Sequence, residues 1–337
     1  MSILDGAQPA AIAQAALCLS DGGLVGLPTE TVYGLAARAD QDTAVAAIFA
    51  AKGRPADHPL IVHVADEAAA QTFAAQWPVS AQRLAAAFWP GPVTVIVPRR
   101  PGLAASAAGG QDSIGLRCPA HPVALALLRA AADWGVTGLA APSANRFGRV
   151  SPTCAAHVAE EFGPELLVLD GGDCEVGIES AIIDCTRARP VLLRPGGLTR
   201  DQLEAVLGEP LAQADAHSPR ASGTLEAHYA PRAKVRLMDA ASLAQAVAML
   251  RGATAPARPG AVPVAAVYSR TLPATEVAGP SFPFRRMPDE ALATAHELFA
   301  ALRALDATGA PLIWIETPPA DGAWEGVRDR LQRAAAA

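Results

Sequence analysis

The sequence predicts an α/β protein built on a mixed sheet, followed by a second, smaller α/β domain. Three observations carry that reading. Strand-like apolar runs alternate with helix-like runs from Pro9 to Leu193. The last strand runs of that stretch stand too close together for crossover helices, which implies some antiparallel pairing. A polar stretch containing Gly208, Pro210, Pro219, Gly223 and Pro231 then interrupts the pattern before a shorter strand–helix alternation resumes.

Taken in order, helix Pro9–Leu19 leads to strand Leu24–Leu27, and helix Thr43–Ala51 to strand Leu60–Val64. Helices Glu67–Gln76 and Ala81–Trp89 precede strands Val93–Val97 and Ile114–Leu116. Helix Val123–Ala132, the short run Gly138–Ala141 and helix Pro152–Phe162 follow, then strands Leu166–Leu169, Ala181–Ile183 and Val191–Leu193. The punctuation fits: Asp42 and Asp66 are placed to N-cap, Ser151 to cap with Pro152 at the first helical position, and Gly22 and Gly163 to end helices. The expected division is a first domain over 1–207, a linker over 208–232 and a second domain over 233–337. In the last, strands are expected at Val235–Met238, Val262–Tyr268 and Leu312–Ile315. Its helices are expected at Ser242–Arg251, Asp289–Leu305 and Trp324–Ala335, with an Ala/Pro/Gly loop at Gly252–Gly260.

Composition excludes several classes. With 337 residues, 51% hydrophobic and 18% charged, the chain has material for two cores and is not a disordered one. No run approaches the ~18 apolar residues of a spanning helix, and the first cation is Arg38, so neither membrane insertion nor a secretory signal is expected. Five cysteines with no C-x-x-C pair read as reduced thiols of a cytoplasmic protein. Residues 1–205 carry 14 basic and 20 acidic side chains, and 206–337 carry 13 of each. Neither half is a basic platform for nucleic acid. Lys52 and Lys234 are the two lysines among 27 basic residues, so Lys52 stands out as a compact ammonium in an arginine background.

No G-x-x-x-x-G-K-[ST] loop, G-x-G-x-x-G or G-x-S-x-G motif is present, and the histidines lack zinc spacing. Polar groups instead recur at strand ends: Thr29-Glu30-Thr31 after Pro28, His63, Arg117, Pro142-Ser143-Ala144-Asn145, Ser180, and Arg194. Lys52-Gly53-Arg54 supplies two cations at a turn, suited to a polyphosphate. Ser151, placed at a helix N-terminus, would add an anion-binding donor.

Residues 28–35, Lys52-x-Arg54 running into His58–His63, Trp89–Thr94, Pro142–Asn145 and Arg194-Pro195-Gly196 resemble, in order and spacing, the YrdC-like threonylcarbamoyl-AMP synthases. The similarity spans about residues 8–206. His228-Tyr229-Ala230-Pro231 followed by a small α/β domain resembles the long two-domain form. The resemblance implies a YrdC-like twisted mixed sheet with a Rossmann-like second domain. It also implies a nucleotidyl transfer in which L-threonine, bicarbonate or CO2, and ATP give threonylcarbamoyl-adenylate and pyrophosphate, the first step of tRNA t6A37 modification. Matching the family's motifs, Thr31, His63, Arg117, Ser180 and the backbone of Ala141 fall on the L-threonine side. Lys52, Arg54, His58, Ser113, Ser143, Asn145, Ser151, Arg194 and Tyr229 fall on the ATP side, with Lys52 and Arg54 as the catalytic cations. Mg²⁺ accompanying ATP is expected, with no dedicated metal site in the protein. So are hand-off to a threonylcarbamoyl transferase complex and no direct tRNA binding. The chain departs from the family pattern at His58, where asparagine is common, and over Ser218–Leu225.

The linker is expected to lie over the nucleotide pocket, with Tyr229 closing it. The rival readings are an RNA-binding module, disfavoured by the net −6 of residues 1–205, and a hydrogenase-maturation carbamoyltransferase, which needs zinc-finger cysteines absent here. A nucleotide sensor without turnover is the third.

Overall fold

The computed structural model describes residues 3–253 and 262–337, so most of the expected loop Gly252–Gly260 lies outside the described residues. The chain forms two compact units. The first runs to Thr224 except for Gly148–Val150, which belong with the chain from Leu225 in the second. The stretch 208–232 divides between them, residues 208–224 falling in the first unit and 225–232 in the second.

In the first unit the elements begin with β1 (Ile3–Asp5), α1 (Pro9–Ser20), β2 (Val25–Leu27), β3 (Gly34–Arg38), α2 (Asp42–Lys52) and β4 (Ile61–His63). Next come α3 (Glu67–Phe73), α4 (Val79–Phe88), β5 (Val93–Pro98), β6 (Ser113–Arg117), α5 (Pro122–Ala132) and β7 (Leu139–Ala140). The unit closes with α6 (Ala155–Phe162), β8 (Leu167–Asp170), β9 (Ala181–Asp184), β10 (Val191–Arg194), α7 (Arg200–Leu207) and β11 (Ala212–Gln213). Among the described residues the strands form one mixed sheet, ordered β1-β8-β2-β3-β7-β4-β6-β5-β9-β10-β11.

Several details differ from the sequence expectations. Strand β3 was not expected: its Gly-Leu-Ala-Ala-Arg composition has weak strand propensity, and it exists because it is paired on both sides, to β2 and β7. Asp66 caps α3, accepting from the Ala69 amide at 2.8 Å, but Gln41, not Asp42, precedes α2. Ser151 caps nothing, because α6 begins three residues beyond Pro152, after Cys154. Helix α7 carries a capping box, Thr199 with Gln202.

Strand pairing decides which side chains share a face. His63 pairs Arg117, Ile61 pairs Gly115, Gly115 pairs Ile96, and Thr94 pairs Ile182, which pairs Arg194 across a register shift. These residues therefore lie on one side of the sheet, while Val62, Ile114, Leu116, Val93, Val95, Val97, Ala181 and Ile183 lie on the other. The latter set joins α2, α3, α4 and α7 in a continuous core. On β2, β3, β7 and β8, the first face is covered by α1 and α5. From β4 to β10 that same face carries His63, Arg117, Thr94 and Arg194 among Ile61, Ile96 and Ile182.

The second unit is a parallel sheet of β12 (Lys234–Met238), β15 (Leu312–Glu316), β13 (Ala266–Ser269) and β14 (Phe284–Arg286), in that order. Its helices are α8 (Ala240–Ala253), α9 (Ala274–Val277), α10 (Ala291–Asp306) and α11 (Glu325–Ala335). The strand expected from Val262 starts only at Ala266.

Candidate active site

The turn after β2 is built by Thr29. Its hydroxyl accepts from the amides of Thr31 and Val32, both at 3.2 Å, and donates to the Val32 carbonyl at 2.6 Å. Satisfying these buried backbone groups locally fixes Glu30 and Thr31 in place. Arg117, at the end of β6, reaches that turn. Its Nη1 donates to Thr31 Oγ1 at 2.8 Å, its Nε to the Gly91 carbonyl at 3.2 Å, and its Nη2 lies 2.6 Å from Glu30 Oε1. Both charged side chains are buried, at 4% and 5% exposure, so this is an ion pair removed from solvent. His63 stands beside Arg117 by strand register. Burial, then the Arg117 charge, push its imidazole down to about 3, which keeps it neutral.

Ser180 and Arg194 form the next group. Ser180 Oγ lies 2.8 Å from Thr94 Oγ1, and the Arg194 guanidinium donates to the Ser180 carbonyl through Nε and Nη2 at 3.1 and 3.0 Å. Arg194 Nη1 donates to the Ser222 carbonyl at 2.8 Å. Ser222 in turn donates to the Pro59 carbonyl at 2.7 Å and accepts from Arg54 Nη2 at 3.2 Å. A cavity opens here on the sheet face, lined by Ile61, Thr94, Ser113, Gly115, Ile182 and, from the chain beyond α7, Ser222. Arg220 holds that segment down, exchanging hydrogen bonds with Gln111 and pairing with Asp57 at 3.0 Å.

Lys52 ends α2 but does not project from the turn, as the sequence suggested. It is buried, donating to the Ser143 carbonyl at 2.6 Å and to the Asn145 carbonyl. Burial, then Arg54, hold its ammonium well below the usual lysine range. Gly53, at φ 63°, reverses the chain so that Arg54 turns back over Phe147, 5.8 Å from the ring centroid. His58 meets the same ring edge-on at 5.5 Å, its pKa lowered by burial and by Arg54. Ser151 Oγ donates to the buried Glu179 carboxylate at 2.5 Å. Its role as a helix-terminal donor is therefore withdrawn, although it remains beside this group through Glu179, the neighbour of Ser180. Ala141 donates its amide to the Ile61 carbonyl at 3.0 Å.

Tyr229 lies in the second unit. It is buried with φ 61°, stacks on Phe299 at 5.3 Å and lies under Arg330 at 5.5 Å.

The first unit thus brings together Thr31, His63 and Arg117, then Ser180 with Arg194, then Arg54 with Ser222, and Lys52 with Ser143 and Asn145. The convergence is at strand ends, as expected, with His63, Arg117 and Arg194 closing β4, β6 and β10, and strand register puts these three on one face of the sheet. Sequence reasoning assigned no role to Glu30 as the partner of Arg117, nor to Gln111, Arg220 and Ser222. Glu30 was visible as a carboxylate beside Thr31, but its partner is 87 positions away, and the others lie where no periodicity speaks.

An α/β sheet with one face closed by helices and the other lined by buried arginines, hydroxyls and a neutral histidine defines a protein that binds small, polar, anionic ligands. A family model described as "Telomere recombination", covering Sua5, YciO and YrdC proteins, matches residues 18–196. A second, "Threonylcarbamoyl-AMP synthase, C-terminal domain", matches 198–336. Threonylcarbamoyl-AMP synthase of Pyrococcus abyssi is 38% identical over 94% of this chain and 91% of its own. That of Bacillus subtilis is 42% identical over 68% of this chain and 66% of its own. The crystal structure of P. abyssi Sua5 complexed with L-threonine superposes with a TM-score of 0.85 at 36% identity, covering 96% of this chain and 94% of that one. The chain belongs to the threonylcarbamoyl-AMP synthase family.

Proposed function

We propose that this chain converts L-threonine, bicarbonate or CO2, and Mg-ATP into threonylcarbamoyl-adenylate and pyrophosphate, the first step of t6A37 formation in tRNA. The observation that carries the reading is the linked set of polar side chains on and beside one sheet face: His63 and Arg117 with Thr31, Ser180 with Thr94 and Arg194, and Arg194 joined to Arg54 through Ser222. In this reading Arg117 and Thr31 take the amino-acid carboxylate and hydroxyl side, and the threonine amine lies toward Ala141 and His63. A neutral His63 adds no cation beside an amine that must lose its proton before it attacks carbon. The neutral amine then adds to CO2 and releases an N–H proton to water, giving a carbamate. A carbamate oxygen attacks the α-phosphorus, and pyrophosphate leaves with its electron pair.

Lys52, Arg54, His58, Ser113, Ser143, Asn145, Ser151 and Arg194 are assigned to ATP. Their work is positioning and charge stabilisation of the triphosphate, which needs no covalent intermediate. Among the described residues no group of three or more His, Cys, Asp or Glu could hold a metal ion. Mg²⁺ would enter with the nucleotide and would neutralise part of the triphosphate charge. The segment around Ser222, hydrogen-bonded to Arg54 and Arg194, serves as cover for this side. Cytoplasmic residence and delivery of the labile adenylate to a threonylcarbamoyl transferase complex complete the proposal. Among the described residues no helix is long and apolar enough to cross a membrane.

The test is pyrophosphate release from Mg-ATP, with L-threonine and bicarbonate each supplied or omitted. Release that needs both is expected; release indifferent to threonine overturns the assignment of the amino-acid side.

A further inference from the structure

Arg117 reaches its position through three contacts, and these are unequal in kind. Gly91 contributes a carbonyl and Thr31 a hydroxyl, whereas Glu30 contributes a full negative charge at 2.6 Å from Nη2. Glu30 is itself tied on both sides. Its flanking residues Thr29 and Thr31 have their hydroxyls 2.9 Å apart, and its own carbonyl accepts from the Val176 amide at 2.7 Å. Val176 leads directly into Glu179 and Ser180. One residue therefore joins three pieces of the amino-acid side: the turn after β2, the end of β6 and the segment entering β9. Glu30 is also among the residues lining a cleft of about 610 Å³, with Asp5, Asp170, Asp173 and Glu175, while both of its carboxylate oxygens are buried.

We infer that Glu30 is a positioning residue for the amino-acid substrate: it fixes the Arg117 guanidinium against Thr31 in the orientation that receives the carboxylate. Glu30 also cancels the charge of Arg117, so the pair as a whole is neutral. A neutral pair is matched to a zwitterionic amino acid, and less so to a polyphosphate. This inference rests on the assignment of threonine to Arg117 made above.

The experiment is steady-state kinetics on the full-length protein with Glu30→Gln, Glu30→Asp, Arg117→Met and the double variant Glu30→Gln/Arg117→Met. Melting temperatures confirm that each is folded. Glu30→Gln is expected to raise the KM for L-threonine about tenfold, while the KM for ATP stays within about twofold and kcat within about threefold. Glu30→Asp, which keeps the charge but draws it back by one methylene, is expected to fall between Gln and wild type. In the Arg117→Met background, Glu30→Gln is expected to add nothing, because its effect runs through the missing guanidinium.

The inference is overturned if both Glu30 variants keep the threonine KM within about twofold of wild type while Arg117→Met raises it. It is equally overturned if Glu30→Gln multiplies the defect of Arg117→Met by the same factor it shows alone, or if it moves the ATP KM as much as the threonine KM. An Arg117→Met variant with an unchanged threonine KM removes threonine from Arg117, and the role of Glu30 falls with it. Should Glu30→Gln fail to fold, the Glu30→Asp series and its combination with Arg117→Met decide by the same ratios.

Discussion

The two faces of strands β4, β6, β5 and β9 differ in the side chains they carry. One face presents Val62, Ile114, Leu116, Val93, Val95, Val97, Ala181 and Ile183, all buried in the core with α2, α3, α4 and α7. The other presents His63, Ser113, Gly115, Arg117 and Thr94 among Ile61, Ile96 and Ile182, with Ser113, Gly115 and Thr94 lining a cavity. Because successive side chains point to opposite sides, stability and ligand binding occupy alternate residues of the same strand. Adjacent substitutions should therefore produce different kinds of defect.

The largest separation is expected at Leu116 and Arg117. Arg117→Met should raise the threonine KM by roughly 100-fold, the scale of a lost bidentate charge contact. It should also lower stability, because Glu30 is left as an unpaired buried charge. Leu116→Ala should cost roughly 2–5 kcal/mol of stability through its cavity, with the threonine and ATP KM values unchanged. Urea unfolding and initial-rate kinetics on both variants check this. A Leu116→Ala enzyme that is as stable as wild type but has lost threonine affinity would break the two-face account.

Gly115→Ala sharpens the comparison in the opposite direction. An added Cβ would meet Thr94 Cγ2 at 3.5 Å and Ile61 and Ile96 Cγ1 at 3.7 and 3.8 Å, ordinary contacts with no clash. Stability should hold or rise by about 0.4–1 kcal/mol, while the methyl group narrows the cavity and weakens ATP use by roughly tenfold. Calorimetry and the ATP KM read the two effects separately.

A pH-dependent effect is expected at His63. Its folded pKa, about 3, lies below the ordinary unfolded value of about 6.5, so between these limits the unfolded chain binds more protons. Its contribution is complete above pH ~6.5 and is lost as the pH falls toward 3. His63→Asn should flatten the pH dependence of stability in that window and leave it unchanged above. An unchanged slope would mean that His63 is not held neutral by its surroundings.

How much of this was legible beforehand follows from the range of the interactions. Helices α1, α2 and α5 and strands β5 and β6 were readable within a residue or two of their ends, because an apolar pattern and local punctuation define them. Strand β3 was not, since an Ala- and Gly-rich segment becomes a strand only through its neighbours. The site residues were readable as motifs, yet their common face was not: it depends on pairings such as His63 with Arg117 and Thr94 with Ile182, which no local window contains. Ser151 shows the opposite hazard, a correct local cap signature overridden by Glu179, 28 positions away.

The central claim is that the polar face performs carbamoylation and adenylation together. It is tested most directly by incubating the protein with Mg-ATP, L-threonine and carbon-labelled bicarbonate, and quantifying labelled threonylcarbamoyl-adenylate against pyrophosphate by mass spectrometry. The account predicts the labelled adenylate in equal amount to pyrophosphate, with both abolished when threonine is withheld. Pyrophosphate formed without labelled adenylate, or nucleotide bound with neither product, would contradict it.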